Sequence, residues 1–125
     1  MNQYLLCPVC DYDYSHIIAT LQVKDNDDYQ TTEVIVNQTY PISVKTEYKY
    51  RSQGNMHILF QCEEGHYFIK SFDGHKGNVS IDENPLMDEL AEYLNRVYKD
   101  QKKLSLSFNY ELLGNIEKFL KSKNR

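Results

Sequence analysis

The stretch FQCEEGHYF, residues 60–68, decides how this chain is read, because it holds one cysteine where a metal-binding knuckle commonly holds two. A clean pair stands near the start, in LLCPVCDYDY (5–14), where two residues separate Cys7 from Cys10. That spacing lets both thiolates point into one site while the intervening backbone N–H groups turn toward the sulfurs. In CEEGH the next donor is His66, and three residues lie between it and Cys62, a gap usual for a second ligand pair. Gly65 supplies the backbone freedom of a tight knuckle. Asp11 stands where ribbon knuckles usually carry glycine, and Asp tolerates the left-handed conformation better than most residues. The expected set is Cys7, Cys10, Cys62 and His66, three thiolates and an imidazole that suit a closed, structural Zn2+ site.

Other donors are nearby in the chain. Glu63 and Glu64 are poorer partners for a thiolate-rich ion, while His16 and His75 are candidates for hydrogen-bonding around the ligands or for the fourth ligand position itself. His57 falls on the opposite strand face from Cys62. A redox-active Cys-x-x-Cys is the competing reading, and no βαβ pattern of the thioredoxin kind surrounds the pair.

Outward from the two knuckles the sequence reads as strands. SHIIATLQV (15–23) is β-branched and apolar, KDNDDYQ (24–30) is an acidic loop, and TTEVIVNQ follows. In ISVKTEYKYR, Ile42, Val44, Thr46, Tyr48 and Tyr50 alternate with Ser43, Lys45, Glu47, Lys49 and Arg51, the signature of a half-buried strand. SQGN (52–55) offers a turn, and MHILFQC returns with Met56, Ile58, Phe60 and Cys62 on one face. HYFIKSF (66–72) is another strand, DGHKGN (73–78) a turn and VSI (79–81) a short strand.

The pattern changes at IDENPLMDEL. Asn84 is a helix cap, Pro85 suits the first helical position, and Leu86, Leu90, Leu94 and Val97 mark one face of a helix from 85 to about 102. LSLSF reads as a connector or short strand. A second helix is expected from Asn109, with Leu112, Leu113, Ile116, Phe119 and Leu120 on its stripe. The architecture predicted is α+β: a zinc ribbon with an enlarged antiparallel β-sheet (1–82), followed by two C-terminal helices (83–125).

At 125 residues the chain can bury one modest core, and 41% hydrophobic with 26% charged residues excludes general disorder. The formal net charge of −4 hides a division. Residues 1–94 carry six Lys or Arg against fifteen Asp or Glu, a net −9, whereas residues 95–125 carry eight against three, a net +5. No stretch approaches the ~20 apolar residues of a membrane helix. The start lacks the basic and apolar pattern of a signal peptide, so a cytoplasmic, reducing setting is expected, where cysteines bind metal more often than they pair.

CPVC, then FQCEEGHYF after a hairpin, then HKGN resemble the motifs of small zinc-ribbon proteins of bacteria and their phages, in which a C-P-x-C knuckle precedes C-E-x-G-H and H-K-G. Cys7, Cys10, His16, Cys62, His66 and the triplet His75, Lys76, Gly77 match that pattern over roughly residues 1–82. The resemblance implies a ribbon fold, a phage or mobile-element origin and a bacterial host cell, and it implies no particular activity.

A closed four-ligand site leaves no position for water or substrate, and the chain carries no G-x-S-x-G, phosphate-binding glycine loop or H-E-x-x-H, so an enzyme is not expected. Asp88, Glu89 and Glu92 share a helix, but Glu92 precedes Arg96 by four residues in the order of a solvated ion-paired face. Lys45, Lys49 and Arg51 on the polar side of their strand, with Tyr48 and Tyr50 close by, form a candidate nucleic-acid contact. A body at net −9 repels phosphate, and favours docking on a basic protein surface instead. The reading that follows is a protein-binding module, a modulator or inhibitor of a host nucleic-acid machine, with direct nucleic-acid binding as the alternative.

Overall fold

The computed structural model describes residues 4–47, 55–75, 77–99 and 106–123. Six antiparallel strands form one sheet in the order β3-β2-β1-β4-β5-β6. They are β1 (Ser15–Asp25), β2 (Gln30–Val36), β3 (Ile42–Thr46), β4 (Asn55–Cys62), β5 (Tyr67–His75) and β6 (Asn78–Asp82). Two three-stranded meanders therefore meet where β1 lies against β4, with Ser15 opposite Cys62 and Gln22 opposite Met56. A bulge at Ile18 interrupts that register between Ile17 and Ala19. The helices are α1 (Pro85–Tyr98) and α2 (Leu106–Ser122).

Both helices cover the same face of the sheet, α1 over β5 and α2 over β2 and β3. Alternation along the strands sends Leu21, Val34, Val44, Leu59 and Ile69 inward against Leu90, Leu94, Leu112, Ile116 and Leu120. Helices α1 and α2 share one core with the strands. Their apolar stripes are buried by the sheet, and helices of 14 and 17 residues draw most of their stability from such packing. Asn84 caps α1 as expected, its side chain accepting from the Met87 N–H at 3.2 Å.

Several boundaries differ from the sequence reading. Helix α1 stops at Tyr98 because Lys99 takes a left-handed φ of 45° and its N–H turns back to Asn95 O. Helix α2 begins at Leu106, three residues before Asn109, because Phe108 packs edge-on against Tyr98 with ring centroids 4.9 Å apart. The connector or strand expected at LSLSF gives way to helix from Leu106, while Leu104 and Ser105 lie outside the described residues. Strand β5 runs to His75, and what reads as a turn at 73–78 is a tighter connection, with His75 opposite Asn78. The SQGN turn lies outside the described residues, apart from Asn55.

Met56, Ile58, Phe60 and Cys62 do share one face of β4, and it is the face away from the helices. The inward side chains of that strand are His57, Leu59 and Gln61. Two of the three are polar, and His57 is accommodated by the cross-strand Ser71 hydroxyl, 2.8 Å from its Nδ1.

Candidate metal centre

The first knuckle is a tight turn just before β1. The Asp11 N–H donates to Cys7 O at 2.8 Å, and the Cys7 N–H donates to Tyr12 O at 2.9 Å. Asp11 adopts a φ of 61°, the left-handed conformation its position demands. The second knuckle joins β4 to β5. There the Gly65 N–H donates to Cys62 O and the Cys62 N–H to His66 O, both at 2.9 Å, and Gly65 has a φ of 93° that favours glycine. The two knuckles meet because β1 and β4 are neighbours, and the Glu63 N–H donates to Tyr14 O at 3.0 Å.

That junction brings Cys7, Cys10, Cys62 and His66 together, with one ligand atom from each lying within 4.8 Å of every other. Among the described residues they are the one cluster of metal-ligating side chains this close. Cys10 Sγ is 3.8 Å from Cys62 Sγ, and Cys62 Sγ is 3.4 Å from His66 Nδ1. A tetrahedral ion with bonds of about 2.3 Å to sulfur and about 2.0 Å to nitrogen needs edges of about 3.8 Å and about 3.5 Å. A disulfide needs sulfurs at about 2 Å, and all three cysteines are free. These two edges match a tetrahedral ion, and the four donors are close enough together to share one.

Backbone donors point at two of the sulfurs. The Val9 N–H points at Cys7 Sγ and the His66 N–H at Cys62 Sγ, each at 3.4 Å. Cys7 and Cys62 are buried against Phe68 and Phe60, whose rings stack 5.2 Å apart, while Cys10 lies at the exposed rim. The Tyr12 backbone pulls the Cys10 thiol down, but desolvation and the Cys7 and Cys62 sulfurs outweigh it and leave its pKa at about 11. Thiols crowded in this way resist joint ionisation, and a divalent cation reverses that penalty.

The other predicted residues fall in different places. His16 lies beside the site and not in it, its Nε2 sitting 3.3 Å from Glu63 Oε2 in an exposed pair that straps β1 to the second knuckle. The backbone carries His75 away from the ligands. It ends β5 eight residues beyond Tyr67, about 26 Å along the strand. Of the candidate nucleic-acid contacts, Lys45 sits on β3 with its Nζ 4.5 Å above the Tyr29 ring. Lys49 and Arg51 lie outside the described residues, as do Tyr48 and Tyr50.

Two features escape sequence reading. Tyr4, Leu5, Leu6, Val9, Tyr12, Tyr14 and Ile17 are all exposed around the first knuckle, although nothing in their spacing marks a surface. They make up half of the exposed large hydrophobic side chains among the described residues. Asp11 and Asp13 lie among them in the chain, and the second knuckle brings Glu63 beside Tyr14. The second feature is Asn95 of α1, whose carboxamide holds the backbone of Tyr67 just after the second knuckle. A helical Asn carries no local signal of such a role.

No protein-family model, curated protein or solved structure significantly matches the chain. No helix among the described residues is long and apolar enough to cross a membrane.

Proposed function

We propose that Cys7, Cys10, Cys62 and His66 hold one structural Zn2+ ion in a zinc-ribbon-like fold, and that the protein is a non-enzymatic module that binds a protein partner. The observation that carries this reading is the pairing of a closed donor set with an exposed apolar surface around the same knuckle. Four protein ligands leave no coordination position for water or substrate, so the ion's contribution is to hold the chain in place. The segment it holds presents Tyr4, Leu5, Leu6, Tyr12 and Tyr14 to solvent, and exposed apolar and aromatic groups gathered in this way mark interaction sites.

The acids flanking that segment favour a protein over a nucleic acid as the partner, since phosphate is repelled where tyrosines alone would stack bases. They suit a basic surface, such as that of a nucleic-acid-handling protein of a bacterial host, the target class expected of a phage or mobile-element modulator. The test is a tagged pull-down from bacterial lysate, run with and without nuclease and with and without chelator. A protein partner retained after nuclease and lost on chelation supports the proposal. Capture that vanishes with nuclease refutes it in favour of direct nucleic-acid binding.

A further inference from the structure

The sheet has an unfinished edge beside the metal centre. Strand β6 meets β5 only from Ser71 onward, where Ser71 opposes Asp82. Upstream, Asn95 takes the place of a strand at Tyr67: its Oδ1 accepts from the Tyr67 N–H at 2.7 Å and its Nδ2 donates to Tyr67 O at 2.9 Å. Backbone groups alternate sides along a strand, so Tyr67, Ile69 and Ser71 all turn their N–H and C=O to this edge. Between the Asn95 clamp and the start of β6, the Ile69 rung faces a groove of about 640 Å³. The first knuckle forms one end of that groove through Pro8 and Val9.

The groove's charge is one-sided. Glu83, Asp88 and Glu92 line it, and Lys70 is its one cation. Desolvation first, then Glu83 and Glu92, raise the Asp88 carboxyl above its ordinary pKa, with Lys70 opposing them only in part. A positive group entering here relieves that repulsion.

We propose that this groove receives an extended, basic segment of a protein partner, which adds as a short strand against β5 at Ile69 and places a Lys or Arg among Glu83, Asp88 and Glu92. The proposal rests on the protein-binding reading above and assigns the partner's chemistry and one place where it docks. Tyr67 and Ser71, which Asn95 and Asp82 already engage, stand about 13 Å apart, so the segment pairs with β5 at the Ile69 rung and its flanking residues lie along the groove walls. Strand addition supplies main-chain bonds at the edge and side-chain selectivity from the walls. A second copy of the chain is a poor occupant, because edge-to-edge pairing about a two-fold axis sets the same three carboxylates against each other.

The test uses the full-length, metal-loaded protein and a ribosome-displayed library of random eight-residue peptides. The expected winners carry Lys or Arg flanked by β-branched residues. On binding they slow hydrogen exchange at the Ile69 amide at least tenfold, and the variant Glu83→Gln/Asp88→Asn/Glu92→Gln weakens them at least tenfold while Tyr40→Ala, at an exposed position outside the groove and the knuckles, does not. Selected peptides without basic residues, protection confined to other amides, unchanged binding to the triple variant, or no selection at all would each overturn the proposal. A pull-down partner that binds the triple variant as tightly as the parent also overturns the groove and leaves the protein-binding reading intact. Loss of every protein partner after nuclease treatment defeats that broader reading instead.

Discussion

The buried His57 gives the protein a pH dependence that can be isolated from that of the metal centre. Its ring is enclosed between β1 and β5, opposite Leu21 on one side and Ser71 on the other, and is 1% exposed. Desolvation lowers its pKa from the usual 6.5 to about 4. The folded state therefore keeps His57 neutral across a range in which the unfolded chain takes up a proton. Stability contributed by the neutral ring is complete above pH 6.5 and is lost as pH falls from there toward 4. A shift of this size corresponds to about 3 kcal/mol by pH 4. Thiolate protonation at the metal centre also destabilises the fold in acid, so the parent protein alone does not separate the two effects. His57→Gln does, because it keeps a hydrogen-bonding group near Ser71 without a titrating proton. Urea unfolding of both proteins at pH 7, 6, 5 and 4 should show His57→Gln less stable by about 1–2 kcal/mol at pH 7. The gap should close and reverse as pH falls. Curves that stay parallel over that range would refute the argument.

Other substitutions probe the elements that place the site. Asn95→Ala removes both bonds to the Tyr67 backbone and should lower stability by about 1–2 kcal/mol in urea unfolding, with faster hydrogen exchange at the Tyr67 amide. Gly65→Ala forces a side chain onto a φ of 93° and should cost about 1–2 kcal/mol and weaken metal retention in a competition with a chromogenic chelator. Leu112→Ala opens a cavity in the core shared by sheet and helices, and should cost roughly 2–5 kcal/mol in one cooperative transition. Separate melting of the strands and helices would argue against a shared core.

The parts of the molecule legible in the sequence are those set by short spacings. Two residues between Cys7 and Cys10, three between Cys62 and His66, and the Asn84–Pro85 start of α1 are local chemistry, and their structures follow from local geometry. The strand alternation around Val44 and the stripes of α1 and α2 are legible for the same reason. What escapes is decided by distant partners. The apolar letters of β4 suggest that Ile58 and Phe60 face the main core, but the pairing of His57 with Ser71 comes from a different strand. The start of α2 follows a run of alternating Leu and Ser, and Phe108 joins the helix by packing on the distant Tyr98 ring. Asn95 meets Tyr67 across 28 positions of chain, and no pattern in either segment announces it. His75 stands close to the second knuckle in sequence, yet β5 carries it away because a strand is extended.

The most direct test of the metal assignment is elemental analysis of the purified protein, combined with the absorption spectrum after replacement of the native ion by Co2+. One equivalent of zinc per chain is expected, together with the intense d–d bands of tetrahedral cobalt and a thiolate charge-transfer band scaled to three sulfurs. His66→Ala should disturb the tetrahedral spectrum, and Cys62→Ser should abolish stoichiometric binding. A protein that folds without metal, or a His66→Ala variant that keeps one zinc and an unaltered cobalt spectrum, would contradict the site as drawn.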